Sequence, residues 1–247
     1  MGFWRDWLHA GGTGGLNWHV HAHRSLSRWQ KTSSQIEHFL LQSAPRASDL
    51  ILIGASAGWM LPDAWLTRFA RIDCYDIDPL AQWLFPRRHG RALRQAGVEL
   101  RLHRRDALAT LEAILEAHPQ AVIWFDNVLG QHRYRIQDEV ETERQLNALK
   151  QQLLGRTWGS VHDVFSGPGR QTWPADQAMP VDLAPAQAYD DSRMQTLLQQ
   201  VGAQGTWFDH GTRGVFPDRT PVHMLAWPFR QGYWHWLQMG WCTSPPR

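Results

Sequence analysis

Cysteine, lysine and tyrosine are scarce in this chain of 247 residues, with two, two and four copies. Cys74 and Cys242 are too few and too far apart for a disulfide framework or a cysteine zinc site, and such sparse use fits a reducing compartment. No apolar run reaches the roughly 18 residues a membrane-spanning helix needs. The stretch 50–61 is broken by Gly54, Ser56 and Gly58. The opening MGFWRDWLHAGG lacks a basic region followed by an apolar one, and Asp6 stands where a myristoylation signal wants Ser or Thr. A cytoplasmic protein with no membrane partner is expected. Charge of one sign is also lacking: the formal net charge is +2, so no global field argues for a nucleic-acid or membrane surface. A 43% apolar and 19% charged composition excludes wholesale disorder.

What is abundant is tryptophan, 15 copies, a residue used where a large apolar body must bury while its N–H finds a partner. All the lysine-plus-arginine charge except Lys31 and Lys150 is arginine. Apolar residues at helical spacing from Ser25 (Leu26, Trp29, Ile36, Phe39, Leu40) predict an N-terminal extension, 1–48, that ends in a helix before Pro45. Strand-like runs then alternate with helical ones: DLILI at 49–53, RIDCYDID at 71–78, ELRLHRRD at 99–106, AVIWFDNV at 121–128 and SVHDVFS at 160–166. The helical runs cover 61–69, 79–96 with an interruption at Pro86, 107–118 and 137–154. This alternation implies βαβ units. The fold class is therefore α/β, a doubly wound, mainly parallel seven-stranded sheet over 49–230, with 204–209 and 222–229 as an antiparallel last pair. The proline-rich 167–188 reads as an irregular connection, 186–201 as a further helix, and 231–247 as a Trp-rich addition packed on the same domain.

In such sheets ligands sit beyond the carboxyl ends of the strands. The first end reads Ile53-Gly54-Ala55-Ser56-Ala57-Gly58-Trp59, which fails the GxGxxG dinucleotide pattern at its second and third glycines; no GK[ST] of a P-loop follows either. A turn with small residues at 54, 56 and 58, followed by acidic strand ends at Asp76 and Asp106, resembles the class I S-adenosylmethionine-dependent methyltransferases over roughly 49–229. The resemblance implies a cofactor-binding turn at Gly54, Ser56 and Gly58, ribose contacts from Asp76, an adenine contact from Asp106, and S-adenosylmethionine as cofactor. At the fourth strand end it implies cofactor and acceptor contacts, with Asn127 on the cofactor. Methyl transfer from a sulfonium needs alignment, and a base only if the acceptor arrives protonated. Asp126, His162 and Asp163 are the candidate catalytic groups, with Asn127 and His132 as hydrogen-bond partners. The chain departs from the family at Leu52, where an acid is usual, and at Ser56, where the middle glycine is usual. Those departures motivate a second reading, a noncatalytic methyltransferase-like binding or interaction module.

Other features compete. His19, His21 and His23 would share a face on a strand, as ligands of a metal hydrolase can, but the chain is short for such barrels; no metal is expected there. The arginine-dense 87–105 suits an RNA acceptor as well as it suits a solvated helix face, and a small-molecule acceptor is favoured. The aromatic run Tyr233 to Trp241 alternates imperfectly, as an added strand would, and if exposed would form a partner surface such as a homodimer interface.

Overall fold

A computed structural model describes residues 14–131 and 139–243 of the chain. His132 lies outside the described residues. The described residues divide into two compact units, those within 1–27 and 36–126, and those within 28–35 and 127–247.

The chain enters through α1, Leu16–Ser43. This helix begins nine residues before the apolar spacing does, because its buried stripe opens with polar or small members: His19, Ala22 and Ser25 precede Trp29, Thr32, Ile36 and Phe39 at intervals of three or four. In the first unit, β1 (Asp49–Ile53), β2 (Arg71–Asp76), β3 (Glu99–Arg104) and β4 (Val122–Asp126) follow. All three pairings are parallel, in the order β3-β2-β1-β4. Continuous apolar runs such as DLILI suit this position, since a parallel strand is buried on both faces; Leu50 to Ile53 are all buried. The connecting helices are α2 (Asp63–Leu66), α3 (Ala81–Gln95) and α4 (Leu111–Ala117). Pro86 does not interrupt α3. Proline inside a helix costs about 3 kcal/mol, and burial of Ala81, Phe85, His89 and Leu93, one residue per turn on one face, offsets it.

The chain leaves β1 toward β2 and β3 on one side, while β4 lies on the other. The switch in strand order therefore falls between β1 and β4, the place where such sheets bind ligands.

The second unit holds α5 (Glu139–Gln152), β5 (Trp158–Pro168), β6 (Val181–Pro185), α6 (Asp191–Gln200), β7 (Phe208–Asp209), β8 (Pro221–Arg230) and β9 (Tyr233–Cys242). Its order is β5-β9-β8-β6, antiparallel throughout, with β7 on β5. The α/β class, the parallel strands and the N-terminal helix stand as expected. Two details differ. The antiparallel pair is 221–230 with 233–242 rather than 204–209 with 222–229, and the described strands number nine, β6 coming from the proline-rich connection and β9 from the Trp-rich run. Proline is tolerated in β6 because Pro185 sits at its very end, where a missing N–H costs least.

β9 alternates imperfectly because it is paired on both edges and buried on both faces: Trp234, Trp236, Leu237, Gln238 and Met239 are each at most 1% exposed. The aromatic run is core, not an exposed surface. Residues 28–35 of α1 join this unit through Trp29 Nε1, which donates to Phe229 O at 3.1 Å, and Thr32 Oγ1, which donates to Ala226 O at 2.9 Å. No helix among the described residues is long and apolar enough to cross a membrane.

Truncating a fully buried tryptophan typically costs about 3–5 kcal/mol. Trp236→Ala should lower stability by about that amount in urea unfolding followed by far-UV circular dichroism; a loss below about 1 kcal/mol would remove Trp236 from the core.

Candidate functional site

Beyond β1 the chain makes a turn whose alternate residues are all left-handed: Gly54 at φ 77°, Ser56 at φ 50° and Gly58 at φ 64°. Glycine takes this conformation freely, whereas serine does so at a cost. The turn is pinned to the end of β2 by Asp76, whose Oδ2 accepts from Ser56 N at 2.7 Å and whose Oδ1 accepts from Asp78 N at 2.8 Å. Gly58 cannot carry a side chain for a second reason: a Cβ there would lie 2.4 Å from His89 Nε2.

The start of α1 packs on this turn. Trp18 Nε1 donates to Ser56 Oγ at 3.0 Å. His19 Nδ1 accepts from Trp59 Nε1 at 3.2 Å, so its Nε2 carries the proton and donates to Asp78 Oδ2 at 2.8 Å. The same oxygen accepts from Gly15 N, and Asp78 Oδ1 accepts from Leu80 N at the start of α3. Although burial works against it, the His19 and backbone donors hold the Asp78 carboxyl below its ordinary range. On a helix His19 and His23 stand one turn apart, both beside Trp59, while His21 turns away, so the three do not share a face as they would on a strand. His19 is buried against Asp78 and Trp59, while His23 is exposed.

Two carboxyls at the strand ends behave differently. Asp76 is pushed up to about 6, chiefly by loss of water, with the Asp78 charge adding to the rise and its backbone donors opposing it. Asp126, at the end of β4, is pushed up to about 7 by loss of water and by the charge of Asp76. The turn at Gly54, Ser56 and Gly58 thus comes together with Asp76 and Asp126. Asp106 lies one strand further out, its Oδ1 accepting from Leu108 N at 3.1 Å in a local turn. A small cavity of about 10 Å³ lined by Ser56, Cys74, Asp76, Phe85 and His103 adjoins the turn, room for about one water molecule.

In the second unit the structure separates two neighbours. His162 and Asp163 point to opposite faces of β5. His162 is fully buried, bonded through Nδ1 to Ser160 Oγ at 3.0 Å and through Nε2 to Gln238 Oε1 at 3.3 Å, and stacked on Phe216; burial brings its pKa down to about 4. Asp163 meets Asn127, whose Nδ2 donates to Asp163 Oδ2 at 3.0 Å and whose Oδ1 accepts from Asp163 N at 3.0 Å. Asn127 holds this position at φ 56°, a backbone region that asparagine tolerates better than most residues. His235 Nδ1 lies 2.7 Å from Asp163 Oδ1 and, with Asn127, takes the carboxyl down to about 2 against the cost of burial.

Sequence reasoning missed His210, His235 and Ser166. A bulge at Val164 explains why: β5 pairs Asp163 with Leu237 but Phe165 with Trp236, so one extra residue flips the alternation and brings Asp163 and Ser166 to one side. No local pattern in SVHDVFS announces that bulge. The odd-numbered polar members of β9, Tyr233 and His235, were the available signal.

No protein-family model matches the sequence, nor does any curated protein. Solved structures are similar over most of the chain. A magnesium protoporphyrin IX methyltransferase from Synechocystis PCC 6803 with bound S-adenosylhomocysteine matches at TM-score 0.49 and 15% identity, covering 96% of this chain and 93% of that one. The N-methyltransferase NodS from Bradyrhizobium japonicum WM9 matches at TM-score 0.43 and 12% identity, over 89% of this chain and 98% of its own. A methyltransferase from Anabaena variabilis ATCC 29413 gives TM-score 0.44 and 14% identity over 94% and 98%.

The raised carboxyls set a pH dependence. Between the unfolded value near 4 and the folded value of about 7, native Asp126 holds a proton that the unfolded chain has released, so stability falls as pH rises through that window. Asp126→Asn should flatten this fall and raise stability at pH 8 relative to the parent chain, measured by denaturant unfolding at pH 5 and pH 8. An unchanged slope would mean Asp126 is ionised in the native state at neutral pH.

Proposed function

We propose that this protein binds S-adenosylmethionine at the carboxyl ends of β1, β2 and β4 and transfers its methyl group to a small-molecule acceptor. The observation that carries the reading is the left-handed run at 54, 56 and 58, tied by Ser56 N to the Asp76 carboxylate at the switch in strand order. Such a turn brings backbone close to a ligand, and a carboxylate that already accepts two N–H bonds keeps lone pairs for the two hydroxyls of a ribose.

Charge supports the same reading. Asp76 and Asp126 are both pushed up chiefly by loss of water, and the charge of Asp76 adds to the rise at Asp126. A sulfonium and an ammonium group on one ligand would relieve that cost. Asp126 would then sit opposite the cofactor's cationic half, while Asp76 holds its ribose. The chemistry asked of the chain is alignment, because the sulfonium is already activated.

A second reading, a binding module without turnover, is favoured by the small cavity and by Trp18 lying on Ser56: the start of α1 must shift before a nucleoside fits. Turnover separates the two readings.

Calorimetric titration of ligand-free protein should give saturable binding of S-adenosylmethionine at micromolar Kd or tighter, about 8 kcal/mol. Asp76→Asn should weaken it by about 10-fold to 100-fold, the loss of a charge-assisted hydrogen bond. Affinity for S-adenosylmethionine should also rise from pH 5.5 to pH 8 more steeply than affinity for S-adenosylhomocysteine, which lacks the sulfonium charge. Equal affinities in parent and Asp76→Asn would move the cofactor away from this turn, and binding without methyl loss to any cell-extract fraction would favour the module.

A further inference from the structure

The second unit holds a cluster that the methyl-transfer reading does not use. A carboxylate oxygen of Asp163 and ring nitrogens of His210 and His235 all lie within 4.8 Å of one another, and all three residues are buried. We propose that these three side chains form a binding site for a divalent transition-metal ion of the zinc or ferrous type. The proposal stands apart from the cofactor reading, since it rests on residues 127–247 alone.

The donor set is two imidazoles and one carboxylate, a combination that suits zinc and non-haem ferrous iron rather than calcium or magnesium, which prefer all-oxygen shells. Ligands sharing such an ion stand about 3–4 Å apart, given metal–ligand distances near 2.1 Å. The cluster's span, within 4.8 Å, is near that spacing, and His235 Nδ1 and Asp163 Oδ1 are already at 2.7 Å.

The surroundings orient the donors as outer partners of metal ligands do. His210 Nδ1 lies 2.8 Å from the Gly130 carbonyl oxygen, so that nitrogen must carry the proton and Nε2 must present a lone pair. Nε2 faces the cluster, where at 3.0 Å it accepts the Ser166 hydroxyl proton, and that hydroxyl in turn accepts from Tyr233 at 3.3 Å. An ion would take the lone pair now engaged by Ser166. The close approach of Gly130 is obligatory: a Cβ there would fall 2.6 Å from Asp163 N. On the other side Asn127 Nδ2 holds Asp163 Oδ2, which leaves Oδ1 turned toward His235. Thr212 Oγ1 donates to Asp163 O at 2.6 Å and His210 N donates to Val164 O at 2.9 Å, so the segment carrying His210 is fastened to the bulge that aims Asp163.

Binding is balanced in protons. Asp163 ligates as the carboxylate and His210 as the neutral imidazole. His235 either ligates through Nε2 and keeps its Nδ1 proton, or ligates through Nδ1, whose proton then moves to Nε2 in a neutral ring and to solvent where Nε2 already carries one. With three protein ligands, positions remain open for water or for a substrate oxygen.

The test uses the full chain carrying His21→Gln and His23→Gln, which removes surface histidines of α1 that could hold zinc adventitiously. Zn²⁺ alone, titrated calorimetrically, should bind at one equivalent with submicromolar Kd, and His210→Gln or His235→Gln should each weaken it 100-fold or more with the circular dichroism spectrum retained. Should either variant fail to fold, zinc-edge X-ray absorption on the loaded background chain decides: two imidazoles with oxygen ligands are expected. Affinity undiminished in both folded variants, no binding below about 0.1 mM, or a first shell with fewer than two imidazoles would overturn the proposal.

Discussion

The Asp76 carboxylate joins the turn after β1 to the end of β2, and the rest of the candidate site depends on that junction. Its two oxygens hold Ser56 N and Asp78 N, which fixes three alternating left-handed residues in one turn and sets Asp78 where it meets His19, Gly15 and the start of α3. A serine at φ 50° persists only because its surroundings over-determine it: a backbone donor to Asp76 on one side and a hydroxyl held by Trp18 on the other. Desolvation then makes the junction electrostatically unfinished. Asp76 and Asp126 are both raised toward neutrality, a state that a cationic ligand would reverse.

The second unit is organised by a different constraint. β9 is central to its sheet, and its pairing with β5 carries one extra residue at Val164. That residue turns Asp163 and Ser166 to the same side, against His235 from β9 and His210 from the segment after β7. Neighbouring His162, turned the other way, is held by Ser160, Gln238 and Phe216 and behaves as a core histidine.

What could be read from the sequence follows from how local each signal is. β1 is legible to the residue because its continuous apolar run opens at Asp49 and closes at Gly54, whereas β2 and β4, read as 71–78 and 121–128, end two residues sooner, at Asp76 and Asp126. The turn at 54–58 is legible because small residues at alternate positions after a strand have few other uses. α1 is legible only from Ser25 onward, since its earlier buried positions are filled by Ala22, too small to signal a face, and by His19, which hydrogen bonding rather than hydrophobicity places inside. The interruption expected at Pro86 does not occur because the buried face of α3 outweighs one lost hydrogen bond. The least legible part is the Asp163, His210 and His235 cluster. Its members lie 25 or more residues apart in the chain, and they meet only through strand pairing and a bulge that no short window of sequence encodes.

Hydrogen–deuterium exchange of the chain with and without S-adenosylhomocysteine is the most direct test of a cofactor at the Asp76 junction. Slowed exchange is expected in peptides covering 53–59 and 74–80, where the ligand would meet the turn and Asp76. Unchanged exchange there under saturating ligand, or protection confined to other segments, would contradict it.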